Sequence, residues 1–148
     1  PALAPAAIGS LLANTVSVIR RDPSLSQVEV RRGGANPTLL VDAEQLKIVF
    51  HNLLLNAAQA MGGQGQIEIA VSERGEGCDV AIADRGPGLT PHVLGKMFDP
   101  FFTTKHRGSG LGLSTAKGIV EAHGGELTAH PRPEGGALIV VTLPAAPP

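Results

Sequence analysis

The sequence predicts a single α+β domain of two layers, in which a mixed, mostly antiparallel sheet of about five or more strands is covered on one face by three main helices. Three observations lead to this prediction. The 148 residues are 43% hydrophobic with a net charge of -1, which suffices for one core and is unlike a disordered chain. Three segments repeat hydrophobic residues at helical spacing, and several shorter segments alternate them as strands do. Their order is helix, two strands, helix, hairpin, helix, hairpin, which favours helices layered on one sheet.

The first helix and two strands account for the N-terminal part of the chain. Hydrophobic residues recur at helical spacing from Ile8 to Ile19, and the pattern stops at Asp22-Pro23. Residues 28–31 alternate apolar and charged side chains before Gly33-Gly34, and residues 38–41 form a short apolar run after Asn36-Pro37, so each predicts a strand.

A longer central helix follows. Residues 43–61 contain no Gly or Pro and carry one apolar face, and Asp42 is placed to cap them. Gly62-Gly63 ends this helix. Two alternating runs, at 66–72 and 78–83, then predict a hairpin.

The C-terminal third begins with an irregular segment. Residues 84–110 are rich in Gly, Pro, Thr and Phe, with a short helix at about 93–97, and a loop this long is usually functional or mobile. Residues 111–123 return to a helical pattern. The remaining predicted segments are strands at 126–130 and 137–143 and a tail at 144–148 without fixed structure.

The composition excludes several classes of function. Twelve Lys and Arg residues face 13 acidic ones, so no basic excess points to nucleic acid or an anionic membrane as a direct partner. A single cysteine, Cys78, excludes an internal disulfide and favours a reducing, cytoplasmic setting. Since the chain begins at Pro1 rather than Met, we expect residues 1–148 to be one excised domain, ordered over about 5–143, whose function depends on a missing neighbour.

Four uncharged amide side chains lie on one face of the central helix. At about 100° per residue they fall within an arc of roughly 60° that borders the apolar face. They are Gln45, Asn52, Asn56 and Gln59. A solvated face normally carries charge, so this amide stripe indicates a polar cavity, although a helix edge bonded to loop backbone explains it equally well.

Asp84 comes directly after an apolar strand and leads into Arg85-Gly86-Pro87-Gly88. One interpretation is a tight turn with Gly where φ must be positive. The other is a carboxylate at the bottom of a pocket, where it accepts from an amino group while the glycines let a flat ligand approach the backbone.

A glycine-rich segment runs directly into the third helix. Residues 108–113 (GSGLGL) follow Lys105, His106 and Arg107, so backbone amides, a helix N-terminus and positive charge are close together. The pattern is neither a Walker A loop nor the dinucleotide fingerprint, whose third glycine is replaced by Leu113. A flexible linker is the alternative, and the adjoining charges favour a phosphate.

Three of the chain's four Phe residues lie close together in the irregular segment. Phe98, Phe101 and Phe102 flank Asp99-Pro100, and no Trp or Tyr is present. Aromatic residues usually pack in a core, but here they are placed to anchor a movable lid over residues 98–110.

Taken together, four ordered motifs resemble one family over about residues 5–143. Residues 51–60 (HNLLLNAAQA) look like an N box, 84–88 (DRGPG) a G1 box, 98–105 (FDPFFTTK) an F box and 108–113 (GSGLGL) a G2 box. The chain resembles the catalytic and ATP-binding domain of bacterial sensor histidine kinases, within the superfamily shared with gyrase, Hsp90 and MutL. That superfamily has a Bergerat-type fold. The Phe-Phe-Thr-Thr-Lys form is most similar to the nitrogen-regulation and oxygen-sensor class.

The resemblance implies a role for each matching residue. Asn56 would coordinate Mg²⁺ that bridges the ATP phosphates, Asn52 would lie against the same phosphates, and Asp84 would accept from the adenine N6 amino group. With Lys105 these two asparagines form the implied catalytic set. The other implied ATP contacts are Gln59, Gly86, Gly88, Phe101, Thr103, Thr104, Lys105, Arg107, Gly108, Ser109, Gly110, Leu111, Gly112 and Leu113.

Two positions depart from the family pattern. Many members have a Lys where this chain has Gln59, so a phosphate contact is in doubt there and could move to Lys105 or Arg107. Arg85 occupies a position that is often small and polar. Members that hydrolyse ATP carry a general-base Glu at the position of Asn52, and because an amide cannot act as a base we expect negligible intrinsic hydrolysis.

The resemblance also implies partners outside this chain. None of its five His residues is paired with an acidic residue as a phosphoacceptor is, so the accepting His is expected on an upstream dimerisation hairpin. A response-regulator receiver domain would then take the phosphoryl group. No nucleic acid and no direct membrane contact are expected. The alternative function is a nucleotide-binding sensor or scaffold without phosphotransfer.

Overall fold

The computed structural model describes residues 2–86, 97–99 and 112–148. Within these ranges the chain forms three α-helices, α1 to α3, one short 3-10 turn and seven strands, β1 to β7. The helices are α1 Ile8–Arg20, α2 Ala43–Ala60 and α3 Gly112–Ala122, and the 3-10 turn is Pro23–Leu25. The strands are β1 Ala4–Ala7, β2 Gln27–Gly34, β3 Thr38–Val41, β4 Gln64–Arg74, β5 Gly77–Ala83, β6 Glu126–Pro131 and β7 Ala137–Leu143.

The main sheet has five strands in the order β2-β4-β5-β7-β6. β2 pairs parallel with β4 and every other pairing in it is antiparallel, which confirms the predicted mixed sheet. Alternate residues face the helices, as Ile67, Ile69 and Val71 on β4 show by being buried between more exposed neighbours. Cys78 on β5 is buried in the same way, and this burial raises the pKa of its thiol to about 11, so it stays protonated at neutral pH.

A separate two-stranded sheet of β1 and β3 was not predicted in full. The strand at 38–41 was expected, but its partner β1 was not, because Ala4–Ala7 has no apolar alternation and pairs with residues more than 30 positions away. The register joins Ala4 to Val41 and Ala7 to Thr38. The two early strands of the prediction therefore belong to different sheets.

The expectation that residues 144–148 lack fixed structure was wrong. The carbonyl oxygen of Ala145 accepts a hydrogen bond from the Leu40 amide at 2.9 Å, and the Pro148 ring lies against Gly124. A free backbone edge on β3 supplies this partner, and a composition rich in Pro and Ala does not reveal it.

Helix α2 runs through the centre of the helical layer, where it contacts α1, α3, β4 and β5. The predicted Asp42 cap is present, because its Oδ1 accepts from the Gln45 amide at 3.2 Å. Phe50, Leu53 and Leu54 are each at most 1% exposed and form the middle of the core. Across the described part of the chain, no helix combines the length and the hydrophobicity that a membrane crossing requires.

Candidate functional site

The amide stripe of α2 follows the boundary between core and surface. Gln45, Asn52 and Asn56 are half-buried, and Gln59 is exposed near the end of the helix. The side of α2 that faces away from the core is exposed to solvent, since Ile48 is 47% exposed and Lys47 pairs with the exposed Glu44 at 3.3 Å. The stripe therefore borders the buried face of α2, as predicted.

Asn52 connects the stripe to the start of α3. Its Nδ2 donates to the carbonyl oxygen of Gly112 at 3.2 Å. Gly112 is the first residue of α3, and a methyl group there would lie 3.6 Å from the Asn52 side chain. A bond to backbone is what the helix-edge interpretation predicts for Asn52, and it also sets the N-terminus of α3 beside the amides.

Asp84 lies just beyond β5 and is only 4% exposed. Its Oδ1 accepts from the Gly86 amide at 2.8 Å and from the Ala137 amide at 3.3 Å. These bonds form the tight turn of the first interpretation. Within residues 2–86, 97–99 and 112–148, however, no donor bonds the second oxygen, Oδ2, so the pocket interpretation keeps an acceptor.

The Asp84 turn packs against the end of α2. A Cβ on Gly86 would lie 3.1 Å from the carbonyl oxygen of Ala60, so a side chain there would crowd the end of α2. An open groove of about 670 Å³ begins at this junction. Its lining is Gln27, Glu29, Ala60, Met61, Gln64, Gly65, Gln66, Arg85 and Gly86.

The structure thus brings three predicted features to one side of the domain. The Asp84 turn meets the C-terminal end of α2, the amides line α2, and Asn52 contacts the first residue of α3. A carboxylate acceptor, neutral amides and a helix N-terminus in this order fit a ligand that is amino-bearing at one end and anionic at the other.

The comparisons with known proteins identify this arrangement. Residues 41–147 match the family described as histidine kinase-, DNA gyrase B-, and HSP90-like ATPase. The chain belongs to this family. Its relatives include the sensor histidine kinase ZraS of Klebsiella oxytoca, 46% identical over 104 residues, and ZraS of Escherichia coli K12, 32% identical over 139 residues. These alignments cover 70% and 93% of this chain but only 22% and 30% of the relatives.

Solved structures agree with the family. The nucleotide-free catalytic domain of histidine kinase ThkA superposes with a TM-score of 0.90 at 27% identity, over 99% of this chain and 98% of that one. Full-length ShkA in complex with AMPPNP gives 0.85 at 26% identity, over 99% of this chain and 32% of that one. ThkA in complex with the response regulator TrrA gives 0.84 at 25% identity, over 98% and 42%. The chain has the fold of a histidine kinase catalytic domain.

Part of the predicted aromatic anchor, Phe98, lies among the described residues. Met97 is 5% exposed and Phe98 is half-buried against the core. The Lys117 ammonium on α3 lies 5.8 Å from the centre of the Phe98 ring, within cation–π range. Leu113 also packs against the core. The segment entering the F box is therefore anchored to α3 at Phe98.

Most of the F box and of the G2 box lies outside the described residues, as do residues 93–96 of the short helix predicted at about 93–97 and most of the lid predicted at 98–110. The predicted site residues affected are Gly88, Phe101, Phe102, Thr103, Thr104, Lys105, Arg107, Gly108, Ser109, Gly110 and Leu111. Their roles stay predictions.

One residue near the site was missed by the sequence reasoning. Arg132, in the turn between β6 and β7, donates from Nη1 to the carbonyl oxygen of Asp84 at 2.8 Å. A charged residue between His-Pro and Pro-Glu is typical of a solvated turn, and no local signal links it to a residue 48 positions earlier.

Proposed function

We propose that this kinase domain binds Mg-ATP and transfers the γ-phosphoryl group to a histidine on a dimerisation domain, for relay to a response-regulator receiver domain. The convergence of the Asp84 turn, the α2 amides and the start of α3 supports this proposal most directly. The likeness to the sensor histidine kinase ZraS, to histidine kinase ThkA in complex with the response regulator TrrA and to ShkA in complex with AMPPNP agrees with it.

Asp84 is assigned to the adenine base. A carboxylate only accepts hydrogen bonds, and Oδ1 already receives two backbone amides. Oδ2 is then the acceptor for the N6 amino group, while Gly86 permits a close approach of the purine to the turn. Gly88 is assigned the same role from its motif.

Asn56 is assigned to Mg²⁺, which would bridge and neutralise the phosphate oxygens when bound. The donor chemistry fits, since Mg²⁺ prefers hard oxygen ligands and takes few from the protein when phosphates and water supply the others. Among the described residues no group of three or more His, Cys, Asp or Glu side chains could hold a metal alone. Asn52 and the motif residues from Lys105 to Leu113, including Arg107, are assigned to the phosphates.

Phosphoryl transfer requires positioning and charge neutralisation more than covalent chemistry by the protein. The accepting histidine must come from another domain. His123 is buried with both ring nitrogens bonded, so it is not placed to accept. We therefore assign the acceptor to an upstream hairpin, with the domain working in the cytoplasm, where ATP is available.

Calorimetric titration tests the nucleotide site. ADP and a non-hydrolysable ATP analogue are titrated with and without Mg²⁺ into the wild type, Asn56→Ala and the control Gln45→Ala, which removes an amide of the same stripe near the start of α2. Binding should prefer adenine over guanine, strengthen with Mg²⁺ and lose that Mg²⁺ dependence only in Asn56→Ala. Equal behaviour of the two variants would contradict the metal assignment.

Phosphotransfer to an added dimeric hairpin that carries a phosphoacceptor histidine separates the kinase from the scaffold alternative. Labelled phosphate should appear on the hairpin with wild type and not with Asn56→Ala. Nucleotide binding without any transfer would favour the scaffold. Because Asn52 is an amide, steady ATP hydrolysis by the domain alone should be negligible.

A further inference from the structure

The backbone around Asp84 is held from one side by the turn that joins β6 to β7. The Asp84 amide donates to the carbonyl oxygen of Ala137 at 3.0 Å, and the Ala137 amide donates back to Asp84 Oδ1 at 3.3 Å. The carboxylate thus takes the place of a backbone carbonyl where the ladder between β5 and β7 ends. Its orientation depends on where the first residue of β7 lies.

Gly136 allows this turn to approach the same backbone closely. It has a φ of +91°, and a Cβ there would lie 2.0 Å from the carbonyl oxygen of Asp84 and 2.9 Å from the Cα of Arg85. Only glycine satisfies both the conformation and the approach. The peptide that follows Asp84 is therefore in direct contact with the turn.

The Arg132 side chain also holds the backbone of Asp84. Nη1 donates to the Asp84 carbonyl at 2.8 Å, and Nη2 donates to Glu134 Oε1 at 3.0 Å. The Arg132 side chain is only 14% exposed, whereas that of Glu134 is 65% exposed. The turn is closed on itself, since the Arg132 amide bonds the Gly136 carbonyl and the Gly135 amide bonds the Arg132 carbonyl. The guanidinium is thus fixed on both sides.

We infer that Arg132 is a positioning residue for base recognition: by fixing the Asp84 carbonyl it sets the direction of the Asp84 carboxylate, and so the selectivity for a purine with a 6-amino group. This rests on the proposed adenine role of Asp84. Lys cannot replace it fully, because one ammonium group does not reproduce the planar fork that bonds the Asp84 carbonyl and Glu134 at the same time.

The test compares two nucleotides by calorimetry in the presence of Mg²⁺. ATP carries the 6-amino group, and purine riboside triphosphate has hydrogen in its place. Arg132→Met should lower the affinity for ATP roughly tenfold, as expected for one charge-assisted hydrogen bond acting through position, and leave that for purine riboside triphosphate unchanged. The affinity of Arg132→Lys for ATP should lie between those of the wild type and Arg132→Met. Arg132→Lys replaces Arg132→Met in the test if the Met variant does not fold. In an Asp84→Asn background Arg132→Met should add no further loss.

Arg74→Met is the matched control. Arg74 also bonds an acceptor at the end of a strand, the Asp79 Oδ2 at 2.8 and 3.0 Å, but at the opposite end of the β4–β5 hairpin from Asp84. It should leave the ratio of the two affinities unchanged. If Arg132→Met leaves the ratio of the two affinities unchanged, whether or not both affinities fall, the role of Arg132 is wrong while the adenine role of Asp84 stands. A wild type without preference for ATP would instead refute the adenine role of Asp84, and the inference with it.

Discussion

The two ends of the candidate site are held in different ways. Asp84 is mounted on the sheet, where two backbone amides fix its carboxylate and Ala137 and Arg132 fix its backbone. Asn52 and Asn56 lie on a helix, and Asn52 bonds the start of α3 through its Nδ2, which donates to the Gly112 carbonyl at 3.2 Å. Asp84 is 4% exposed, whereas both asparagines are half-buried.

This difference implies that the base end is preorganised and the phosphate end is adjustable. A side chain fixed by several backbone bonds loses little freedom on binding, which favours affinity and selectivity. A contact between two helices can shift with small cost, since it depends on packing rather than on a strand ladder. We therefore expect base selectivity to be insensitive to changes in α3, and the Mg²⁺ dependence of binding to be sensitive to them.

The largest expected effect comes from removing the preorganised acceptor. Asp84→Asn replaces a group that only accepts with an amide that must donate or flip, so the affinity for ATP should fall roughly 100-fold. The affinity for GTP should not fall in parallel, and the remaining ATP binding should keep its Mg²⁺ dependence. Calorimetry on both nucleotides measures this. An ATP affinity equal to wild type would mean that the base lies elsewhere.

The second effect concerns the far end of the helix pair. His123, 3% exposed, accepts from the Asp42 amide at Nε2 over 3.1 Å and bonds the Ile119 carbonyl through Nδ1 at 2.9 Å, a tautomer assigned from these partners. His123→Leu leaves a buried amide unpaired and should lower the free energy of unfolding by about 2 kcal/mol.

Chemical denaturation measures this loss, with the exposed His130→Leu as the control that should change little. In the folded fraction, the Mg²⁺ dependence of nucleotide binding should weaken more than the preference for adenine, because α2 and α3 carry the phosphate end. A loss of adenine preference alone would contradict the division into two independently held ends.

The sequence predicted the features that local chemistry encodes and missed those that depend on distant neighbours. Helix α2 and its Asp42 cap follow from an uninterrupted apolar face beside a capping residue, and the β4–β5 hairpin follows from alternation. β1 was missed because it has no apolar alternation and its partner β3 lies more than 30 positions away. The bond from Arg132 to Asp84 was missed for the same reason, since only the closure of the sheet brings the turn to the carboxylate.

A smaller effect is expected from Asn52. Asn52→Ala removes the bond to Gly112 and one assigned phosphate contact, so the affinity for Mg-ATP should fall roughly tenfold while that for adenosine stays the same. Gln45→Ala, in the same stripe but nearer the helix start, should change neither. An equal loss for adenosine would show that α3 also positions the base, and the contrast between the two ends would fail.

The smallest effect is on the loss of stability at low pH. Unfolding in acid should begin at the start of α2 and reach the strands beside Asp84 later. The Ala2 amide at 2.9 Å, followed by the Gln45 amide at 3.2 Å, lowers the pKa of Asp42 below its usual 3.8. A carboxyl whose folded pKa is depressed adds stability that is complete above its unfolded pKa and is lost as the pH falls through the folded pKa. In Asp42→Asn the free energy of unfolding should therefore fall less steeply below about pH 4, and the pH midpoint of acid unfolding should move by roughly a few tenths of a unit.

Hydrogen exchange measured near that midpoint should show the amides of the first turn of α2 opening earlier than those of β5 and β7. Simultaneous opening would mean that the helical layer and the strands that hold Asp84 unfold as one unit, and that the two ends of the site differ only in how they bind the nucleotide.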